Sequence, residues 1–270
     1  MDLRRGLAAV TIVGALVVSA CSLPDLHGLT AGSTTGPTRT GPSAPGPPDA
    51  EVGAGASVEP AGPEVGAGAN PLDHPEGDGR GLGPVPADRL AEARALIEGV
   101  RTAGRGPKTG YERERFGPRW TDAASVLWSR NGCDTRNDIL RRDLVATDVR
   151  NCAVYAGTIA EPYTGEAVAF SREHPQRIQI DHVVPLAYAW QMGAAGWDDD
   201  RRRDLANDPL NLLAVDGGRN AAKKDASIAS WLPPNRSIRC AYAVRQAQVV
   251  LRYDLPVTPA DKAMMQQVCR

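Results

Sequence analysis

Apolar and polar residues follow both helical and strand periods along the C-terminal part of the chain. In residues 86–102 the apolar positions share one face of a 3.6-residue repeat, which predicts an amphipathic helix. Residues 152–160 and 167–170 are short apolar runs on either side of a turn at Gly165, and they predict a β-hairpin. Residues 176–180 alternate polar with apolar positions and predict a further strand.

The remaining pattern is mostly helical. Residues 186–194 and 198–208 predict two short helices, and residues 211–215 predict a strand between them and the C-terminal region. Residues 238–253 predict a long helix, and the Thr-Pro-Ala-Asp sequence at residues 258–261 is typical of the cap and first turn of another. The expected fold class is therefore α+β with little sheet.

The N-terminus has the pattern of an export signal. Two arginines precede an uncharged apolar run, residues 6–20, which is shorter than the roughly 20 apolar residues needed to cross a bilayer. The sequence Val18-Ser19-Ala20-Cys21 resembles a bacterial lipobox. That resemblance implies a signal peptide at residues 1–20, lipidation of Cys21, and anchorage to the extracytoplasmic face of the cell membrane. An ordinary signal peptide with a chance cysteine is the alternative, and it implies a secreted protein.

Composition divides the rest of the chain in two. Residues 22–84 are rich in Gly, Pro, Ala, Ser and Thr and offer almost nothing to bury, so residues 21–85 are predicted to be a lipidated, disordered tether. Residues 86–270 are predicted to form one domain. The net charge of -1 is unevenly distributed: residues 22–84 contain two basic and eight acidic residues, and residues 85–270 contain 27 basic and 23 acidic residues. The excess of positive charge in residues 85–270 is compatible with a polyanionic partner but does not require one.

Four cysteines remain in the predicted domain. We pair Cys133 with Cys152 and Cys240 with Cys269, because each pair is near in sequence and an exported chain meets an oxidising compartment. A zinc site is the competing use of four cysteines, but the sequence has no CxxC pair to supply ligands at the usual spacing.

The sequence around residues 179–235 carries the candidate chemistry. A predicted strand ends in Asp181-His182, Asn211 stands before the next strand, and Asn220 follows nine positions later. This pattern resembles the HNH, or ββα-metal, nuclease motif, with a core at residues 176–235. Further segments, such as NGCDTRNDILRRDL and EPYTGEAVAF, are similar to secreted HNH proteins related to the C-terminal domain of Gmr-type modification-dependent restriction endonucleases. The resemblance covers roughly residues 111–270.

The resemblance implies a role for each motif residue. His182 would activate the attacking water, since a neutral imidazole accepts a proton at physiological pH. Asp181 and Asn220 would hold one Mg²⁺ ion, with Mn²⁺ as a substitute, because carboxylate and amide oxygens are hard ligands. Asn211 would tie the loop to the strand and orient the histidine.

Several neighbouring residues admit two interpretations. Lys223 and Lys224 follow the predicted metal ligand by one turn and are predicted to contact phosphates. The Arg201–Arg203 triplet is explained equally well by a solvated helix face. Arg136 and Asp138 are more economically explained by a disulfide-fixed polar loop with internal ion pairs. Trp190, Trp197 and Trp231 are predicted to lie in the core.

These observations favour a metal-dependent endonuclease that acts on nucleic acid, DNA before RNA, outside the cytoplasm. The alternative is a catalytically inactive lipoprotein that uses the same fold to bind nucleic acid or another polyanion. The sequence implies no protein partner. A toxin delivered to neighbouring cells is a third possibility, but no delivery module is recognisable.

Overall fold

The structure, a computed structural model, describes residues 65–270. The predicted signal peptide, Cys21 and most of the predicted tether lie outside these residues. The helices are α1 (Leu90–Glu98), α2 (Thr135–Asp143), α3 (Leu186–Gln191), α4 (Asp199–Asn207), α5 (Gly217–Lys223), α6 (Arg239–Arg252) and α7 (Pro259–Val268). The strands are β1 (Val145–Arg150), β2 (Ala153–Ala160), β3 (Ala167–Ser171), β4 (Ile178–His182) and β5 (Leu212–Asp216). The predicted α+β fold class is confirmed.

The strands form two small antiparallel sheets in the described part of the chain, one in the order β1-β2-β3 and one that pairs β4 with β5. The predicted hairpin is β2–β3, and Gly165 in its connection has a φ of +82°, which favours glycine. β1 was not predicted, because its sequence VATDVR is half polar and lies on the sheet edge. In the second sheet His182 pairs with Leu212, so the last residue of β4 lies beside the first residue of β5.

The core consists of two clusters of apolar side chains. The larger cluster is helical and is built mainly around α1, α3 and the long helix α6. The smaller cluster lies where α2 packs on both sheets, and it includes residues of β2, β4 and β5. Trp190 is buried in the larger cluster, which confirms the prediction for this residue, whereas Trp197 and Trp231 are partly buried and pack against the cluster from its edge.

Both predicted disulfides are present. Cys133 pairs with Cys152 and fixes the turn that leads into α2, with 5.5 Å between the Cα atoms. Cys240 pairs with Cys269 and joins the start of α6 to the residue after α7. By loop-closure entropy each crosslink contributes about 3 kcal/mol of stability.

Composition predicted the domain to start at residue 86, but residues before that position also pack on it. In the preceding segment Leu82 is buried, and the Gly81 N–H donates a hydrogen bond of 2.8 Å to the Asp143 carboxylate. The buried Gln248 side chain donates to the Pro71 carbonyl at 2.7 Å. A segment with few apolar residues is therefore held through its backbone, which composition does not reveal.

No helix in the described part of the chain combines the length and the apolar character that a membrane span requires.

Candidate active site

The second sheet and the helix that follows it bring the three motif residues into one region. β4 ends at His182, Asn211 lies one residue before β5, and α5 begins directly after β5 and carries Asn220. The tight passage from β5 into α5 depends on Gly217, because a Cβ atom there would lie 2.1 Å from the Gln176 carbonyl oxygen. The sequence of strand, strand and helix predicted from the motif is therefore present.

His182 is a partly exposed imidazole held in a defined orientation. Its Nε2 lies 2.9 Å from the Ala206 carbonyl oxygen, and its ring stacks on Trp120 with 5.8 Å between centroids and 11° between planes. Since a carbonyl oxygen only accepts hydrogen bonds, Nε2 carries the proton in the neutral ring. Nδ1 is left with its lone pair and can accept a proton.

Electrostatics keep this imidazole neutral. The pKa of His182 is lowered to about 3, mainly by burial of the ring; the hydrogen bond to Ala206 opposes this shift, and the positive charges of Arg113 and Lys223 add to it. The ring is therefore unprotonated at physiological pH, which is the state that a general base needs.

Asn211 is fully buried and joins the loop after β4 to the segment before β5. Its Oδ1 accepts from the Val184 N–H at 2.8 Å, and its Nδ2 donates to the carbonyls of Val184 and Leu205, each at 3.3 Å. The Asn211 side chain thus ties the loop that follows His182 to the segment before β5. The orienting role toward His182 stays a prediction.

Asp181 and Lys223 form a buried ion pair beneath the histidine. Their side chains are 6% and 0% exposed, and the ammonium lies 2.9 Å from the carboxylate and 2.8 Å from the His182 carbonyl oxygen. The Tyr163 hydroxyl donates to the other carboxylate oxygen at 2.6 Å. Burial is also the largest cause of the raised pKa of Tyr163, so this hydroxyl keeps its proton. Both carboxylate oxygens of Asp181 are therefore in contact with protein donors.

This pair corrects the prediction for Lys223. A buried ammonium that is bonded to Asp181 and to the His182 backbone does not reach a phosphate in the solvent. The last turn of α5 faces inward at this position, which the sequence spacing from Asn220 did not reveal. Lys224, the next residue, is exposed with a φ of +53° and remains open to solvent.

The predicted metal ligands do not form a metal site as they are placed in this structure. Asn220 donates through Nδ2 to Gln179 at 2.9 Å, and both carboxylate oxygens of Asp181 are taken by Lys223 and Tyr163. A carboxylate and an amide oxygen are suitable ligands for Mg²⁺, but the ammonium of Lys223 already pairs with the Asp181 carboxylate. Residues 65–270 contain no group of three or more His, Cys, Asp or Glu side chains that could hold a metal ion.

His182 and Asn220 line one open cavity of about 440 Å³. Other side chains of its wall come from two segments before the motif. Arg113, Arg119 and Trp120 form one set, to which the sequence assigned no role, and Arg136 at the start of α2 is the residue for which it favoured a structural role. The signal that was available is the run YERERFGPRW, in which three arginines are interleaved with aromatic residues.

Arg136 and Asp138 lie in helix α2, so the predicted polar loop is wrong at these positions. Asp138 does approach Arg141 at 3.9 Å, whereas Arg136 donates to the carbonyl oxygens of Pro175 and Ile178. The solvated-face interpretation of the arginine triplet is wrong for Arg202. Its guanidinium is buried and bonds backbone carbonyls, including that of Arg115 at 2.9 Å.

Comparison with known proteins places these features in a family. The family model described as "GmrSD restriction endonucleases, C-terminal domain" matches residues 134–268. A protein of Arthroderma benhamiae described as an "Uncharacterized secreted protein" is 37% identical over 176 residues, which cover 64% of this chain and 81% of that protein. No solved structure matches the chain.

Proposed function

Because the chain belongs to the family of the GmrSD restriction endonuclease C-terminal domains, we propose that it is an HNH-type endonuclease that hydrolyses phosphodiester bonds of nucleic acid, DNA before RNA. The observation that carries this proposal is the state of His182. Its Nε2–H is fixed by a backbone carbonyl, its Nδ1 is free of a proton, and the residue lines a cavity walled by arginines.

The chemistry follows from these groups. Nδ1 of His182 accepts a proton from a water molecule in the cavity, and the water oxygen attacks phosphorus. The bond to the 3′ oxygen breaks, and that oxygen takes a proton from solvent. Arginine side chains at the cavity wall stabilise the additional negative charge that develops on the phosphoryl oxygens in the transition state. The phosphate also raises the pKa of His182 in the complex, which makes the imidazole a stronger base.

Metal dependence is a separate part of the proposal. The resemblance predicts one Mg²⁺ ion, or Mn²⁺, at Asp181 and Asn220, and a cation held there would supply positive charge for the phosphate. Binding of that ion requires Lys223 to leave the carboxylate.

Location outside the cytoplasm is supported by the description of the relative as secreted, and by the two disulfides, which form in oxidising compartments. We propose that lipidation of Cys21 additionally anchors the protein to the cell membrane. Incorporation of radiolabelled palmitate into the wild-type chain, and its loss in Cys21→Ser, tests the anchor. Equal labelling of both chains contradicts it.

The central test is cleavage of plasmid DNA and of a long RNA by the full chain, purified with its disulfides formed. Reactions contain Mg²⁺, Mn²⁺ or EDTA. We expect His182→Ala to lower the rate by about 10²- to 10⁴-fold, the range for loss of a general base. His174→Ala is the matched control, since His174 is an exposed histidine outside the cavity lining, and it should keep the wild-type rate. Cleavage that persists in His182→Ala contradicts the assignment.

A second candidate function is a catalytically inactive protein that binds nucleic acid. The observation that favours it is the ion pair of Asp181 with Lys223, which leaves the predicted metal site closed. Absence of cleavage with every metal, together with retained binding of DNA or RNA, would support this alternative over hydrolysis.

A further inference from the structure

Four arginines surround a cleft beside His182. The cavity that contains His182 shares Arg119, Trp120 and Arg136 with an adjoining cavity of about 400 Å³. Arg113 lies on the wall of the first cavity and Arg172 on the wall of the second. We call these two adjoining cavities together the arginine cleft.

The charges of the arginine cleft are not neutralised by contact with acids. Within residues 65–270 none of these four guanidinium groups lies within 4.0 Å of a carboxylate, whereas other arginines of the domain, such as Arg89 and Arg142, form close ion pairs. The acidic residue on the wall, Asp134, uses its carboxylate to cap α2 through the backbone and side-chain amides of Asn137. The wall therefore carries a net positive charge.

Two of these arginines are also partly desolvated. Arg113 donates through Nη1 to the Gly117 carbonyl, and its Nη2 is buried without a hydrogen-bond partner in the described part of the chain. Arg136 bonds only backbone carbonyls there. Burial lowers the pKa of both groups. A buried cationic donor without an anion is costly, and a bound anion removes that cost.

We propose that Arg113, Arg119 and Arg136 form a phosphate-binding site that holds the nucleic-acid backbone next to His182. The inference rests on the proposed function for its ligand, and it assigns substrate binding to residues outside the HNH motif. A row of guanidinium groups along an open cleft suits a ligand with repeated anionic groups, since each planar fork can bind one phosphate in two places. Binding residues therefore come from the segment before α2 and from α2 itself.

The experiment measures binding separately from cleavage. The full chain with His182→Ala, in EDTA, is titrated against fluorescein-labelled duplex and single-stranded DNA oligonucleotides, and anisotropy is followed at several salt concentrations. Arg113→Gln, Arg119→Gln and Arg136→Gln are added singly to this chain. Arg101→Gln is the matched control, because Arg101 is exposed, pairs with Asp254 and lies outside the cleft.

Each cleft variant should weaken binding about tenfold, as expected for loss of a charged hydrogen bond. The slope of log affinity against log salt should fall by about 0.9 for duplex and about 0.7 for single strands with each phosphate contact removed. Arg119→Gln decides the matter if the other variants misfold, because Arg119 is exposed and makes no side-chain hydrogen bond within residues 65–270. Arg113→Lys and Arg136→Lys should recover part of the affinity.

Equal affinity and equal salt slope in the cleft variants and in Arg101→Gln would overturn the phosphate-binding site, even if the wild-type chain cuts DNA. Failure of the wild-type chain to cut, with arginine-dependent binding intact, supports the site and overturns the proposed hydrolysis instead. The two proposals are therefore distinguished by the same set of proteins.

Discussion

The buried pair of Asp181 and Lys223 gives a prediction whose size follows from burial. Lys223→Met removes the ammonium and leaves a carboxylate that is 6% exposed, with only Tyr163 as a hydrogen-bond donor. Removing one partner of a buried ion pair costs about 3–5 kcal/mol, because the remaining charge is uncompensated. We therefore expect the free energy of unfolding to fall by about that amount.

The double variant Asp181→Asn with Lys223→Met removes both charges together. It should recover most of the lost stability, since a neutral amide keeps a hydrogen bond with Tyr163 and leaves no isolated charge. Lys224→Met is the matched control. Its side chain is exposed, and the free energy of unfolding should change by no more than about 0.5 kcal/mol.

Urea unfolding at pH 7, followed by circular dichroism with the disulfides intact, measures these differences. A loss below about 1 kcal/mol in Lys223→Met, the size typical of an exposed ion pair, would refute the buried pair. The ammonium would then be solvated and available to a phosphate, as the sequence predicted. A normal salt slope of DNA binding in Lys223→Met is expected if the pair is structural.

Four further predictions depend on particular contacts. The folded-state pKa of His182 lies below the unfolded value of about 6.5, so the stability that the neutral ring contributes is present above pH 6.5 and is lost as the pH falls toward 3. Denaturant titrations at several pH values should show this loss of stability. His182→Gln should make the loss smaller. For the same reason the acid limb of kcat/KM for DNA cleavage should lie below pH 5, and a limb near 6.5 would contradict the depressed pKa. The double change of Cys133 and Cys152 to Ala should lower the free energy of unfolding by about 3 kcal/mol, measured by urea unfolding, and equal stability would show that the crosslink is dispensable. Gly217→Ala should lower the free energy of unfolding by about 1–3 kcal/mol, because the added Cβ collides with the Gln176 carbonyl oxygen. An unchanged melting temperature would mean that the backbone between β5 and α5 adjusts without strain.

Local pattern predicted the elements that carry the motif. The alternation in residues 176–180, the apolar run before Asp216 and the long apolar face of α6 each have a period that fixes the element type. The disulfides were also predictable, because nearness in sequence and an oxidising compartment leave few alternatives. These features depend on neighbours in the chain.

What the sequence did not reveal depends on contacts between distant segments. Arg113 and Trp120 reach His182 from a segment more than sixty positions away, and no periodicity marks them. Lys223 was assigned to solvent from its spacing after Asn220, although its ammonium is satisfied by Asp181 in another element. The segment before residue 86 was judged by its few apolar side chains, whereas backbone hydrogen bonds hold it.

The hydrogen bond from His182 to Ala206 has a consequence for turnover. Ala206 lies in the last turn of α4, where a helix has carbonyl groups without partners inside the helix, and one of these groups receives Nε2–H. The partner of Nε2 is therefore a neutral carbonyl oxygen, which cannot take a proton from the ring as a carboxylate could. A proton gained on Nδ1 during hydrolysis therefore has to return to water before the base can act again. Entry of solvent to His182 is thus a necessary step between successive cuts by one enzyme molecule.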